Sequence, residues 1–306
     1  MGLEVRQLGF QRARTRGVAL ALFGSALWGI SGTVAQSLFQ RHGFSAEWLT
    51  VVRLLASGII ILTYAFRREG KRVLSLWSDK SSRISILVFG ILGMLGVQYT
   101  YFAAIDHGNA ATATVLQYLS PVLITGLLCI RLKKLPSLMI GISVALAVLG
   151  TFLLVTGGSF TQLSISGWTL FWGIASAFAA AFYTLQPHKL LMKWGSLIIV
   201  GWGMLIGGVG FSFVHPVWVV SGDWSWMSGI SVLFVILFGT IIAFLCYLES
   251  TKYISGAEAS IFASVEPLSA ALLSVFWLHV SFGLFEWLGT LCILVTVGLL
   301  SFIRKD

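Results

Sequence analysis

The sequence predicts an all-α integral membrane protein whose ten transmembrane helices form two inverted five-helix repeats. Three observations predict it. Hydrophobic residues fill 57% of the 306 positions and charged residues only 10%, against roughly 25% charged in a soluble domain. Apolar runs of about 20 residues, the length that crosses a hydrocarbon core, recur along the whole chain. Lysine and arginine gather in alternate loops. A soluble core cannot hide this much apolar surface, so most of the chain must face lipid.

Taken in order, the runs fall at residues 17–40, 46–66, 84–105, 109–130, 136–157, 167–187, 196–217, 229–250, 256–277 and 282–303. The first is too long for the apolar region of a cleavable signal, and a basic tail of residues 1–16 precedes it. With that tail in the cytoplasm, the tail, the even-numbered turns and the C-terminal end hold 18 of the 20 lysines and arginines. Among these turns "RREGKRVLSLWSDKSSR" is the longest and reads as a solvated basic anchor. Only Arg41 falls in an outer loop, and only Arg53 inside a run. The expectation is a multi-pass protein of the cell (inner) membrane with both termini cytoplasmic. The net charge of +9 therefore reports topology, and no nucleic-acid partner is expected. Trp218, Trp224 and Trp226 flank an outer loop as an interfacial belt. Cys129, Cys246 and Cys292 lie within runs, where no disulfide is expected.

Aligning the prolines exposes the repeat. "GMLGVQYTYFAAIDHGNAATATVLQYLSPVL" precedes "GTIIAFLCYLESTKYISGAEASIFASVEPLS" by 146 residues. At that offset Gly93 meets Gly239, Tyr101 meets Tyr247, Ala111 meets Ala257, Ala113 meets Ala259, and Pro121 meets Pro267. Residues 17–157 and 158–306 then hold five runs each. Five is odd, so the second half enters the membrane from the opposite side, a construction used by many secondary transporters.

Pro121 and Pro267 occupy the middle of corresponding runs, four and nine. Each removes a helical hydrogen bond to the carbonyl four residues back, here Gln117 and Ala263. In lipid such carbonyls need a partner, so both kinks are expected to face protein or a wet cavity at the midplane. A packing kink is the simpler alternative. Glu266, beside Pro267, costs several kcal/mol near mid-membrane unless paired, protonated or hydrated. Arg53 is its expected partner: roughly 12 Å and 15 Å from the ends of their runs, the two share a depth. Otherwise Arg53 bonds backbone carbonyls and Glu266 is a neutral structural acid. Glu258 reads instead as part of a capping box with Ser255.

Trp28, Ser31 and Gln36 in run one, Gln98, Tyr99 and Tyr101 in run three, and Thr114, Gln117 and Tyr118 in run four join Tyr183, Gln186 and Tyr247 as candidate cavity residues. Singly each is more often packing; together they describe an apolar, aromatic site with a few hydrogen-bonding groups. "GWGMLIGGVG" with Gly203 and Gly207 reads as close helix packing. No phosphate-binding glycine loop and no H-E-x-x-H occur, and all five histidines lie outside the middle of runs. No catalytic residues, no metal and no cofactor are expected, and the chain is not expected to be an enzyme.

The segments "YFAAIDHGNAATATVLQYLSPVL" and "YLESTKYISGAEASIFASVEPLSAALL", with "ALFGSALWGISG" and "VVRLLASG", resemble the EamA branch of the drug/metabolite transporter superfamily. That resemblance implies a basket of ten helices, with runs 1, 3, 4, 6, 8 and 9 around a central cavity and runs 5 and 10 peripheral. It also implies export of small metabolites such as amino acids, in some members by exchange with protons or substrates. Members often carry a glutamate where run four turns into five and nine into ten. Here "IRLKKLPS" and "WLHVSFG" put Lys133, Lys134 and His279 there, so no role of those acids carries over. The expected function is secondary-active export of small organic metabolites by alternating access around a midplane cavity. Lipid flipping or uncoupled uniport is the alternative.

Overall fold

In the computed structural model, residues 2–132, 138–159, 164–254, 259 and 262–303 are described. Most of them are helical, and none lies in a strand. The helices are α1 (Gly2–His42), α2 (Ala46–Glu69), α3 (Arg72–Ser75), α4 (Lys80–Val88), α5 (Gly96–Asp106), α6 (Ala110–Gln117), α7 (Ser120–Leu132) and α8 (Leu138–Thr156). There follow α9 (Gly167–Leu185), α10 (His188–Trp194), α11 (Ser196–Ser212), α12 (Trp226–Ile236), α13 (Ala243–Ser250), α14 (Val265–Phe276) and α15 (Leu284–Ile303). Seven helical stretches are long and apolar enough to cross a membrane, and three shorter apolar helices, Ser196–Ser212, Val265–Phe276 and Leu284–Leu299, accompany them. The capping box at Ser255–Glu258, Lys133 and Lys134, and the terminal Arg304 and Lys305 lie outside the described residues.

Local chemistry sets the starts. Ser45, Asn109, Ser166 and Ser225 each accept a bond from a first-turn N–H of α2, α6, α9 and α12. All four caps fall in turns expected on the outer face. At the opposite end Asp79 caps α4 through Ser82 N, and Gly70 ends α2 at φ +57°, a backbone conformation that favours glycine.

Two π-helical segments interrupt otherwise straight spans. Phe89–Leu95 joins α4 to α5, and Leu237–Ile242 joins α12 to α13. Gly93 and Gly239, paired by the 146-residue offset, each sit in one of them. Helix contacts repeat in the same way. α5 packs on α9 as α13 packs on α1, and α6 packs on α9 as α14 packs on α1. α2 pairs with α11, α8 with α15, and α6 with α14. The α8–α15 crossing is close because glycine meets glycine: a Cβ on Gly150 would stand 2.7 Å from the Gly289 carbonyl oxygen, and one on Gly289 2.6 Å from that of Gly150. Gly203 and Gly207 likewise let α11 approach Phe89 and Gly90 of the first π segment.

The basic turn after α2 is more than a solvated anchor. Its apolar residues Val73 and Leu76 are buried, Trp77 packs edge-on against Trp202 at 5.0 Å, and Trp202 Nε1 donates to Val73 O at 3.0 Å. Lys193 Nζ meets Asp79 Oδ2 at 2.7 Å and holds that carboxyl down at a pKa of about 2. At the other end Trp218, Trp224 and Trp226 are exposed, and Trp48 Nε1 donates to Val217 O at 3.0 Å.

Candidate substrate cavity

The proline positions shape the site, though not as kinks. α6 stops at Gln117 and α7 begins at Ser120, so Pro121 stands in the first turn of a new helix. Pro267 likewise stands in the first turn of α14, after a turn at Ser264. A first-turn amide has no acceptor within its own helix, so proline breaks no bond inside α7 or α14. The expected bends are therefore interruptions. The carbonyl of Ala263, four residues before Pro267, accepts from Tyr118 Oη at 2.6 Å. The two interrupted spans are thus tied together at their breaks.

Around the breaks lies a cavity of about 250 Å³. α1 contributes Trp28 and Ser31, α2 Arg53, α5 Gln98 and Tyr101, α6 Gln117, α9 Tyr183, α13 Tyr247, and α14 Glu266. A second space of about 720 Å³ shares Trp28, Gln117, Tyr183 and Tyr247 with it. This vestibule adds Tyr118, Pro121, Ala263, Leu191 and Ser196, and so reaches the end of the bundle that carries Lys193. Among the described residues no charged side chain lines the vestibule, whereas Arg53 and Glu266 both border the cavity. The walls are aromatic: Trp28 lies 5.1 Å from Phe244 and 5.2 Å from Tyr247, and Tyr183 stacks on Phe89 at 5.4 Å.

Arg53 and Glu266 do not form the expected ion pair. Arg53 Nε donates to Thr240 Oγ1 at 2.5 Å and Nη2 to Gly239 O at 3.2 Å, while the guanidinium lies 4.9 Å from the Phe102 ring centre. The π register explains this. Thr240 Oγ1 donates to Val235 O, five residues back, at 2.9 Å, which leaves its lone pairs and the Gly239 carbonyl aimed at α2. Glu266 instead meets Tyr118 Oη at 3.2 Å through Oε2.

Four candidates stand elsewhere. Thr114 is buried, its Oγ1 donating to Ala110 O at 2.6 Å and lying 2.8 Å from Tyr101 Oη. Gln36 is buried at the far end from the vestibule, where its Oε1 accepts from Ala110 N at 2.9 Å and its Nε2 donates to Gln40 Oε1 at 3.0 Å. Gln40 Nε2 continues to Gly108 O at 2.7 Å, and Ser274 Oγ donates to Gln36 Oε1 at 3.4 Å. These bonds tie α1 to the start of α6, to the turn before it and to α14. Tyr99 bonds Glu47 at 3.0 Å and packs against Trp172 and Phe211; Gln186 bonds Ser85 O at 3.0 Å. Neither lines the cavity, because each is turned to a partner on a neighbouring helix. Residues not anticipated are Phe102, Phe244 and Thr240. Phe244 stands three residues before Tyr247 on the same helical face, a spacing visible in sequence. Among the described residues no group of His, Cys, Asp or Glu could hold a metal.

The EamA-like transporter family model matches residues 15–156 and again residues 167–302. The chain belongs to the EamA-like transporter family. This EamA chain is 41% identical over 289 residues to the uncharacterized inner membrane transporter YicL of Salmonella typhimurium, covering 94% of this chain and 95% of that one. It is 24% identical over 272 residues to an uncharacterized transporter of Archaeoglobus fulgidus, covering 88% and 91%. A solved crystal structure 15% identical in sequence superimposes with a TM-score of 0.62 over 96% of the EamA chain and 98% of its own, a likeness of fold.

Proposed function

We propose that this EamA chain is a secondary-active carrier that exports small organic metabolites, such as amino acids or related compounds, by alternating access. The observation that carries the reading is the asymmetry of its central space. The cavity continues into a vestibule at the end expected in the cytoplasm, while the Gln36–Ala110 and Gln40–Gly108 bonds tie α1 to α6 and the turn before it at the opposite end. A carrier waiting to load from the cytoplasm has this form. The paired helix contacts and paired π segments support two halves of five spans in inverted orientation, the arrangement that lets one half rock against the other. Both termini then lie in the cytoplasm. The largely aromatic wall with a few polar groups suits a small organic solute. Glu266 is the group in this cavity that can exchange a proton with the passing solute.

Flux in proteoliposomes tests the reading. A carrier gives saturable, stereoselective counterflow of labelled solute. Movement of labelled lipid without solute counterflow would replace it with a flippase.

A further inference from the structure

Tyr118 stands where cavity meets vestibule, and its phenol has one proton to give. Oη lies 2.6 Å from Ala263 O and 3.2 Å from Glu266 Oε2. In a continuous helix the Ala263 carbonyl would accept from the N–H at position 267, but Pro267 has none. Tyr118 supplies the missing donor. Having donated there, it has no second hydrogen for Glu266. Ala263 O and Glu266 Oε2 therefore compete for that one hydrogen, and Tyr118 can satisfy both contacts fully only when Glu266 is a carboxylic acid that donates to Oη in turn.

We propose that Tyr118 is a positioning residue that links the protonation of Glu266 to the break before α14. Resting on the transport reading, this inference names how a proton would move the gate. When the Glu266 O–H bond breaks, the proton passes to water in the adjoining vestibule and the carboxylate keeps the electron pair. A carboxylate draws the phenol O–H more strongly than a neutral carbonyl does. Tyr118 turns to Glu266, and Ala263 O loses its donor. A carbonyl stranded within the membrane is costly, so the segment around Ser264 repacks to find another. The ionisable groups facing Glu266 are Arg53 from α2, Tyr101 from α5, Tyr118 from between α6 and α7, and Tyr247 from α13. α1 meets it with Gly29 and Trp28, which do not ionise.

Two readouts that need no flux test this. Infrared difference spectra across pH report the Glu266 carboxylic acid as a band absent from Glu266→Gln. Alkylation of Thr251→Cys, which lines the vestibule, reports its opening in a chain whose native cysteines are replaced. Rates are normalised to the same cysteine in Glu266→Gln, which cancels the thiol's own titration. The expected result is a several-fold change in labelling in step with loss of the band. In Tyr118→Phe the band still titrates, but labelling no longer follows it. Pro267→Ala returns a backbone donor to Ala263 and abolishes the coupling without touching either side chain, so it serves if Tyr118→Phe does not fold. Wild-type coupling retained in either variant, labelling in the parent that ignores pH, or no band lost in Glu266→Gln would overturn the proposal. Coupling without counterflow in proteoliposomes would sink the transport reading and leave the switch standing.

Discussion

Arg53 Nε donates to Thr240 Oγ1 across 2.5 Å, joining α2 to the π turn between α12 and α13. A hydrogen bond to a buried charge contributes about 1.5–3 kcal/mol. Thr240→Val keeps the shape and removes the acceptor. Its unfolding free energy in detergent is expected to fall by about that amount. Arg53→Met combined with Thr240→Val should recover part of the loss, since no charge is then left without its partner. Unchanged stability in Thr240→Val would mean the Gly239 carbonyl alone anchors Arg53.

Gln36→Ala should loosen the end opposite the vestibule. It strands the buried Ala110 N–H, at a cost of about 1–3 kcal/mol to the state in which that end is shut. A cysteine probe in the cavity, Gln98→Cys, is then expected to label several-fold faster with an impermeant reagent added from outside. Gln36→Glu keeps the acceptor oxygen for Ala110 and should label more slowly than Gln36→Ala. Equal rates in all three chains would show that this end is held by packing instead.

The proposed topology rests on charge placement and is open to direct measurement. Ser75→Cys and Lys189→Cys should label only from the cytoplasm, and Asp223→Cys only from outside, in a chain without Cys129, Cys246 and Cys292. All three positions are exposed. Label on the wrong side at any of them contradicts the inverted halves.

The Asp79–Lys193 pair gives a pH-dependent effect outside the membrane. Its carboxyl titrates at about 2, below the ordinary 3.8, so the folded state favours the ionised form. That contribution is fully present above the ordinary value and fades as pH falls through about 2. The melting temperatures of the parent and Asp79→Asn should differ slightly at pH 6, as befits an exposed pair, and converge toward pH 2. A difference that persists at the acid end would assign the effect to capping of α4 by the side-chain oxygen, which Asn retains only in part.

Much of this protein is written locally. Lipid admits only backbones that satisfy themselves, so runs of about 20 apolar residues announce helices without reference to their neighbours. The family was legible in the same way, from two segments and their offset. Pro121 and Pro267 marked where two spans are disturbed, but as kinks in continuous helices; that each opens a new helix, in a first turn where a missing N–H costs nothing, came from the structure. Depth too is a matter of counting residues, and Arg53 and Glu266 do border one cavity. What no count along the chain supplies is lateral direction. Gln36, Tyr99 and Gln186 share the composition and depth of cavity residues, yet rotation about their helix axes turns them to Ala110, Glu47 and Ser85. Arg53 finds Thr240 rather than Glu266 because a π turn, a single extra residue in a helix 187 positions away, offers oxygen where an α-helix would hide it. The tertiary structure alone decided those pairings, since a buried polar group takes whichever partner packing brings within about 3 Å.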